Sequence, residues 1–239
     1  MSTLRDNRGR ARTARLLFLL LSGFSAAVLL AASVAPTNLA ATDNMPTGIA
    51  FFYAGFSLLS FIVIALVIGS YVALIMWLRR AYYNLHQVPG INPEFGDGWA
   101  AGAWFVPFLN LVRPFTIVRE VWQDTQVAAR GRVVKPATVL GWWWAAFLLR
   151  LFIGRLTWAM SRGLPDTDNL TSNDLLSAGL EAGTHLLFGV LTWYIIGRIA
   201  QFEEQLALRQ QVEQLGQPAP EVPAALQAEQ SNYGQAEGY

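Results

Sequence analysis

Two stretches of this chain, Leu16–Ala35 and Ile49–Leu78, contain no Asp, Glu, Lys or Arg. Two more are nearly as apolar. Ala137–Met160 is interrupted only by Arg150 and Arg155, and Leu175–Ile199 by Glu181, His185 and Arg198 near its end. A helix rises about 1.5 Å per residue, so ~20 residues cross a hydrocarbon core roughly 30 Å thick. Inside lipid every backbone N–H and C=O must be bonded within the protein, which leaves helices for uninterrupted runs of this length. The expected fold class is therefore all-α: a polytopic membrane protein with four transmembrane helices. The composition fits, since 14% of residues are charged against about a quarter in a soluble domain.

The first span follows a basic arm, residues 1–15, with Arg5, Arg8, Arg10, Arg12 and Arg15 against Asp6. Ser33-Val34-Ala35 would also suit a signal-peptide cleavage site, but the apolar run is longer than a usual signal core and favours an uncleaved helix. Pro36–Gly48 reads as a turn-rich loop without Lys or Arg. The second span is longer than a bilayer needs, so it tilts or projects. Arg79 and Arg80 mark its exit, the pattern persists through Tyr82, Tyr83 and Leu85, and Pro89-Gly90 stops it.

Between spans two and three lies a stretch, Gly98–Gln126, that is apolar at its start and polar at its end. Trp99, Trp104, Phe105, Pro107, Asn110 and Arg113 belong to its first part. Pro107 breaks any helix there, so this part is read as re-entrant, dipping into the membrane and returning to the same side. From Pro114 on, Phe115, Val118, Val121, Trp122 and Thr125 recur at helical spacing opposite Arg119, Glu120, Gln123 and Asp124. That is an amphipathic helix suited to the interface, with Arg113 at headgroup level. Beyond span four, Gln201–Leu215 is expected to continue as helix, and residues 216–239 to be a disordered Gln, Ala, Pro and Glu-rich tail.

Loop charge sets the orientation. Basic residues crowd the N-terminus and the segment from Arg79 to Lys135. The loop after span one has none, and Ser161–Asp174 sets Asp166, Asp168 and Asp174 against Arg162. Both termini are therefore placed in the cytoplasm. Were Gly98–Val118 a fifth span, Arg119, Arg130, Arg132 and Lys135 would face outward, against the rule.

Ionisable groups at membrane depth are costly and usually mark function or a pair. Counted from the outer ends, Arg155 lies about 7.5 Å deep and Glu181 about 9 Å, while Arg150 and His185 lie about 15 Å deep. Antiparallel packing would bring Arg155 level with Glu181 and Arg150 level with His185. Two readings stay open: a proton path, anion path or ligand pocket, or a structural ion pair locking two helices. The central aromatic residues likewise read either as a pocket at the membrane face or as packing. Other chemistries lack their residues. The chain has no cysteine, its two histidines, His86 and His185, fall on different elements, and no HExxH, GxGxxG, P-loop or GxSxG occurs. No catalytic residue, metal or cofactor is expected, and a net charge of +1 offers no footprint for nucleic acid. Small residues at four-residue spacing (Gly23/Ala27/Ala31, Ala65/Gly69/Ala73, Gly179/Gly183) permit close helix contact. Contact within the chain accounts for them, and an oligomer stays open.

The run Trp77, Arg79, Arg80, Asn84, Leu85, then Gly98-Trp99-Ala100, Trp104-Phe105-Val106-Pro107, Asn110-Leu111, Arg113-Pro114, Arg119-Glu120 and Trp122, with Gly141-Trp142-Trp143-Trp144 and Gly154-Arg155, resembles the bacterial membrane proteins grouped as domain of unknown function 4328. The resemblance covers roughly Tyr53 to Gln201. It implies an integral bacterial membrane protein and no established activity, and the bacterial inner membrane is the expected location. The functional expectation is a non-enzymatic scaffold or accessory subunit. Its partners would be the bilayer and a protein docked on a cytoplasmic collar formed by the long second helix, the helix after Pro114 and the extension after Arg198. The alternative is a small transporter or ligand-binding protein built on Arg150, Arg155, Glu181 and His185. It requires a polar cavity between spans three and four, open to one side.

Overall fold

A computed structural model describes residues 4–34, 47–162 and 172–216. These form six α-helices and a short 3-10 turn: α1 (Arg8–Ser33), α2 (Thr47–His86), α3 (Trp99–Gly102), the turn Leu109–Leu111, α4 (Arg113–Arg130), α5 (Thr138–Ser161) and α6 (Ser172–Leu215). No strand occurs among the described residues. Four helices, α1, α2, α5 and α6, are long and apolar enough to cross a membrane. The loop before Thr47 with its cleavage-like Ala35, the acidic loop over 163–171 and the tail over 217–239 lie outside the described residues.

The start of the first helix differs from the sequence reading, whereas the extended second and last helices agree with it. The basic segment is helical from Arg8 onward, with its first turn helped by the Asp6 carboxylate, which accepts the Arg8 N–H at 3.0 Å. Ala and Arg are good helix formers, so this start has no intrinsic cost. At 40 and 44 residues, α2 and α6 reach about 60 Å or more, twice a hydrocarbon core. Both therefore project from the same end of the bundle. In the central stretch Trp99–Gly102 and Leu109–Leu111 are single turns, too short to make a fifth span.

Helix α1 lies antiparallel to both α6 and α2. Along the α1–α6 seam Asn7 meets Glu203, Phe18 meets Phe188, and Leu29 meets Gly179. The closest approach is at Gly189, where an added Cβ would stand 2.5 Å from Ser22 Oγ and 3.4 Å from the Phe18 carbonyl. A larger residue there would push the Ser22 hydroxyl off its bond to the Phe18 carbonyl, whereas Gly23 and Gly183, both in the spaced motifs, have open space. Helix α5 packs antiparallel on α6, with the Trp143 indole donating to Thr192 Oγ1 at 2.9 Å. The extensive contacts thus run α2–α1–α6–α5 and do not close from α5 back to α2.

The projecting ends form a second layer with α4. Ile117, Val118, Val121, Trp122 and Thr125 are buried, and α4 packs on α6 and α2, with Trp122 edge-on to Phe202. The apolar stripe read as a lipid-facing surface is thus spent on protein contacts. Gly131 ends α4 in the left-handed conformation at φ 74°, and Gln126 then clamps the connector. Its amide donates to the Trp122 carbonyl at 2.8 Å and its Oε1 accepts from Val134 and Lys135. On the opposite side Tyr82 donates to Glu120 at 2.6 Å and accepts from the Phe95 N–H, fixing the loop before α3.

Candidate functional site

The gap between α2 and α5 is a cavity of about 770 Å³. Its back wall is α6, which offers Glu181, Thr184 and His185 from successive positions on one face. Helix α5 contributes Arg150, Leu151, Gly154 and Arg155, and α2 contributes Ile64, Val67 and Ile68. The central stretch closes one end with Pro107, Phe108, Asn110 and Leu111. All four intramembrane polar residues named from sequence therefore line one space, together with two of the six central ones.

Arg150 is seated on Tyr71 of α2. Its Nη1 donates to the Tyr71 hydroxyl at 2.6 Å, and its Cζ stands 5.1 Å from the ring centre. Its Nε is buried without a hydrogen-bond partner. Arg155 is exposed and lies over Trp158, 5.8 Å from that ring's centre. The expected Arg155–Glu181 ion pair is not formed. Glu181 instead accepts a hydrogen bond from the buried Thr157 hydroxyl at 2.5 Å. The reason is angular. Two residues along a helix turn the side chain by about 200°, so the face that gives Thr157 to α6 turns Arg155 away from it. Direction around the helix decided the partner.

A double-mutant cycle separates the two pairings. Thr157→Val and Glu181→Gln are expected to be non-additive in unfolding free energy by about 1 kcal/mol, as for residues sharing a hydrogen bond. Arg155→Gln and Glu181→Gln are expected to add.

Phe188, on the α6 turn next to His185, anchors the inner end. Its ring stacks on Tyr71 and Trp143 and touches Phe147 and Phe18. Trp104 enters between α2 and α5, edge-on to Tyr71 and Phe147. Its indole N–H is buried and unpartnered, so this residue acts as packing. Trp99 carries the Arg113 guanidinium 4.0 Å above its ring and lies away from the cavity. Phe105 points outward, 76% exposed, as does Phe108 at 84%. Phe108 also holds φ at 64°, a conformation unfavourable for a bulky side chain. The Trp144 indole donates to the Leu111 carbonyl at 3.2 Å and ties the segment to α5. Tyr71, Thr157 and Phe188 were not singled out from sequence. Their signal was a hydroxyl or an aromatic ring on the helix face turned toward the charged positions.

A second, smaller cavity lies at the charged end, beneath residues 4–8. There Asn7 donates to both Glu203 oxygens at 3.2 Å, while Asn84 donates to the Arg5 carbonyl and accepts the Arg5 N–H. Glu203 stands past the apolar part of α6. Enclosure of its carboxyl pushes the pKa from 4.5 up to about 7, against the opposing effect of the Asn7 and Asn84 amides. The folded protein then holds this proton more tightly than the unfolded chain. Its contribution to stability is greatest below about pH 4.5 and is lost as pH rises through about 7. Glu203→Gln is expected to flatten the fall in Tm between about pH 4.5 and pH 7, measured in one detergent at constant ionic strength.

The chain belongs to the family described as Domain of unknown function (DUF4328), whose family model matches residues 47–201. That stretch begins with α2 and ends on α6 just past the membrane-crossing part. It contains every residue of the larger cavity and none of α1. No curated protein and no solved structure matches the chain.

Proposed function

We propose that this member of the DUF4328 family is a non-enzymatic protein of the bacterial inner membrane that binds an amphiphilic organic anion in the cleft between α2 and α5. Both termini and the collar face the cytoplasm. The central segment is re-entrant from that side, with the exposed side chains of Phe105, Phe108 and Val112 against lipid. One observation carries the reading: Arg150 lines the cavity with a buried Nε left without a partner, and the cavity's one carboxylate, Glu181, is already bonded to Thr157. A guanidinium with no counter-charge at this depth is costly, and a carboxylate or phosphate matches its planar donor set. Arg155 adds a second positive charge and Asn110 an amide. Ile64 and Ile68, 56% and 62% exposed, give the cleft an apolar outer wall that opens toward lipid. The ligand class is one anionic group carried on a hydrocarbon body.

The test compares dodecyl phosphate with dodecyltrimethylammonium, two probes of equal chain length, on the full chain in nanodiscs. The anion is expected to quench tryptophan fluorescence with an affinity at least about tenfold tighter, a difference near 1.4 kcal/mol. Equal affinities would contradict the reading.

A docking role through the collar draws on a different observation. Leu208, Val212 and Leu215 are 54%, 69% and 87% exposed and form an apolar ridge on the projecting end of α6, the kind of face that enters a partner's groove. That role makes no use of the cleft and is independent of the comparison of probes.

A further inference from the structure

At the charged end of the α1–α6 seam a shallow pocket is lined by Arg8, Arg12, Arg15, Gly197 and Glu204, among others. We propose that it is a specific seat for the phosphate of an anionic phospholipid. This inference is independent of the cleft.

Three observations converge on it. The first is position. Arg12 and Arg15 are the last charges before the apolar run that begins at Leu16, so they stand where that helix leaves the hydrocarbon. The second is how Arg15 is held. Its guanidinium lies over the Trp193 ring, 4.6 Å from the centre, and its Nε is buried without a partner. It reaches that seat because residue 197 is glycine: an added Cβ would stand 3.0 Å from Arg15 Cζ and 3.1 Å from Nε. The third is charge. Arg8 is paired with Glu204 at 3.3 Å, whereas Arg12 is exposed and makes no hydrogen bond or ion pair among the described residues. Two guanidiniums one turn apart on α1 are thus free to share one phosphate. Leu16 and Leu19 continue the face of α1 below Arg12, and Val190 continues the face of α6 below Gly197. They are 56%, 54% and 49% exposed and form an apolar track for the acyl chains. A basic pocket between helices at the membrane surface, above such a track, suits an anionic lipid rather than a soluble ion.

The experiment is native mass spectrometry of the full chain released from neutral detergent, with phosphatidylglycerol and phosphatidylcholine supplied at equal amounts. Wild type is expected to retain phosphatidylglycerol preferentially. Arg12→Gln and Arg15→Gln should each reduce that preference about fivefold, the usual worth of one basic side chain at a lipid surface. Gly197→Ala, which changes no charge but pushes Arg15 off its seat, should reduce it as well. Arg132→Gln removes an exposed charge from the α4–α5 connector and should leave the preference intact. The proposal is overturned if phosphatidylcholine is retained equally. It is overturned too if Arg132→Gln costs as much as Arg12→Gln, which would mean bulk charge alone. Full displacement of the lipid by inorganic phosphate at the same concentration would make the seat a soluble-anion site and reject the lipid assignment.

Discussion

Phe188→Ala is expected to lower the free energy of unfolding by about 3 kcal/mol, within the range for removing a buried aromatic ring. The ring is 1% exposed and is shared by four partners from three other helices: Phe18 of α1, Tyr71 of α2, and Trp143 and Phe147 of α5. Lipid tails are as apolar as the bundle interior, so little of this cost is transfer out of water. It comes from the cavity left behind and from lost ring contacts, worth about 0.5–1.5 kcal/mol per aromatic pair. Since each spanning helix satisfies its own backbone in lipid, helix content should hardly change while the bundle loosens. The measurement is denaturant unfolding in mixed micelles, followed by tryptophan fluorescence and by far-ultraviolet dichroism. Phe188→Leu, which refills part of the space, should recover much of the loss.

Arg150→Gln is expected to weaken binding of an alkyl phosphate about 30-fold, corresponding to about 2 kcal/mol for hydrogen bonds to a charged group. The same substitution should leave stability unchanged or slightly raised, because it removes an uncompensated charge from an apolar setting. That combination separates a binding group from a structural one, since a structural Arg150 would lose stability on truncation. Arg150→Lys keeps the charge but loses the planar fork and should recover only part of the affinity. Tyr71→Phe removes the hydroxyl that accepts from Arg150 at 2.6 Å. It should cost less than Arg150→Gln, because Tyr71 positions the guanidinium and does not itself meet the anion. Titration calorimetry in nanodiscs reads all three.

The helices could be read from the sequence because lipid admits so few alternatives for a charge-free run. Residue order also set the depth of Arg150, Arg155, Glu181 and His185, since rise per residue is fixed. What a linear reading does not carry is direction around each helix. Arg155 and Glu181 share a depth, yet Thr157 holds the carboxylate because it is on the face toward α6. The same lack hid the role of Gly189, whose contact with Ser22 depends on how α1 is rotated against α6. For α4 the amphipathic pattern was plain, but a pattern does not say whether lipid or protein covers the apolar side, and here α2 and α6 do. Glu203 falls in the stretch Gln201–Leu215 that the sequence marks only as continuing helix. Only the docking of Asn7 against it encloses its carboxyl.

The chain contains no cysteine, so a single introduced thiol reports on the cleft without background. Leu151→Cys lies in the cavity wall, and Leu187→Cys lies on the exposed side of α6, 47% accessible and turned about 200° from His185. The decisive measurement is the rate of maleimide labelling at each position with and without dodecyl phosphate. A cleft that binds amphiphilic anions gives protection at Leu151→Cys and none at Leu187→Cys, and dodecyltrimethylammonium gives none at either. Unchanged labelling at Leu151→Cys, or equal protection by the cationic probe, would contradict an anion site between α2 and α5.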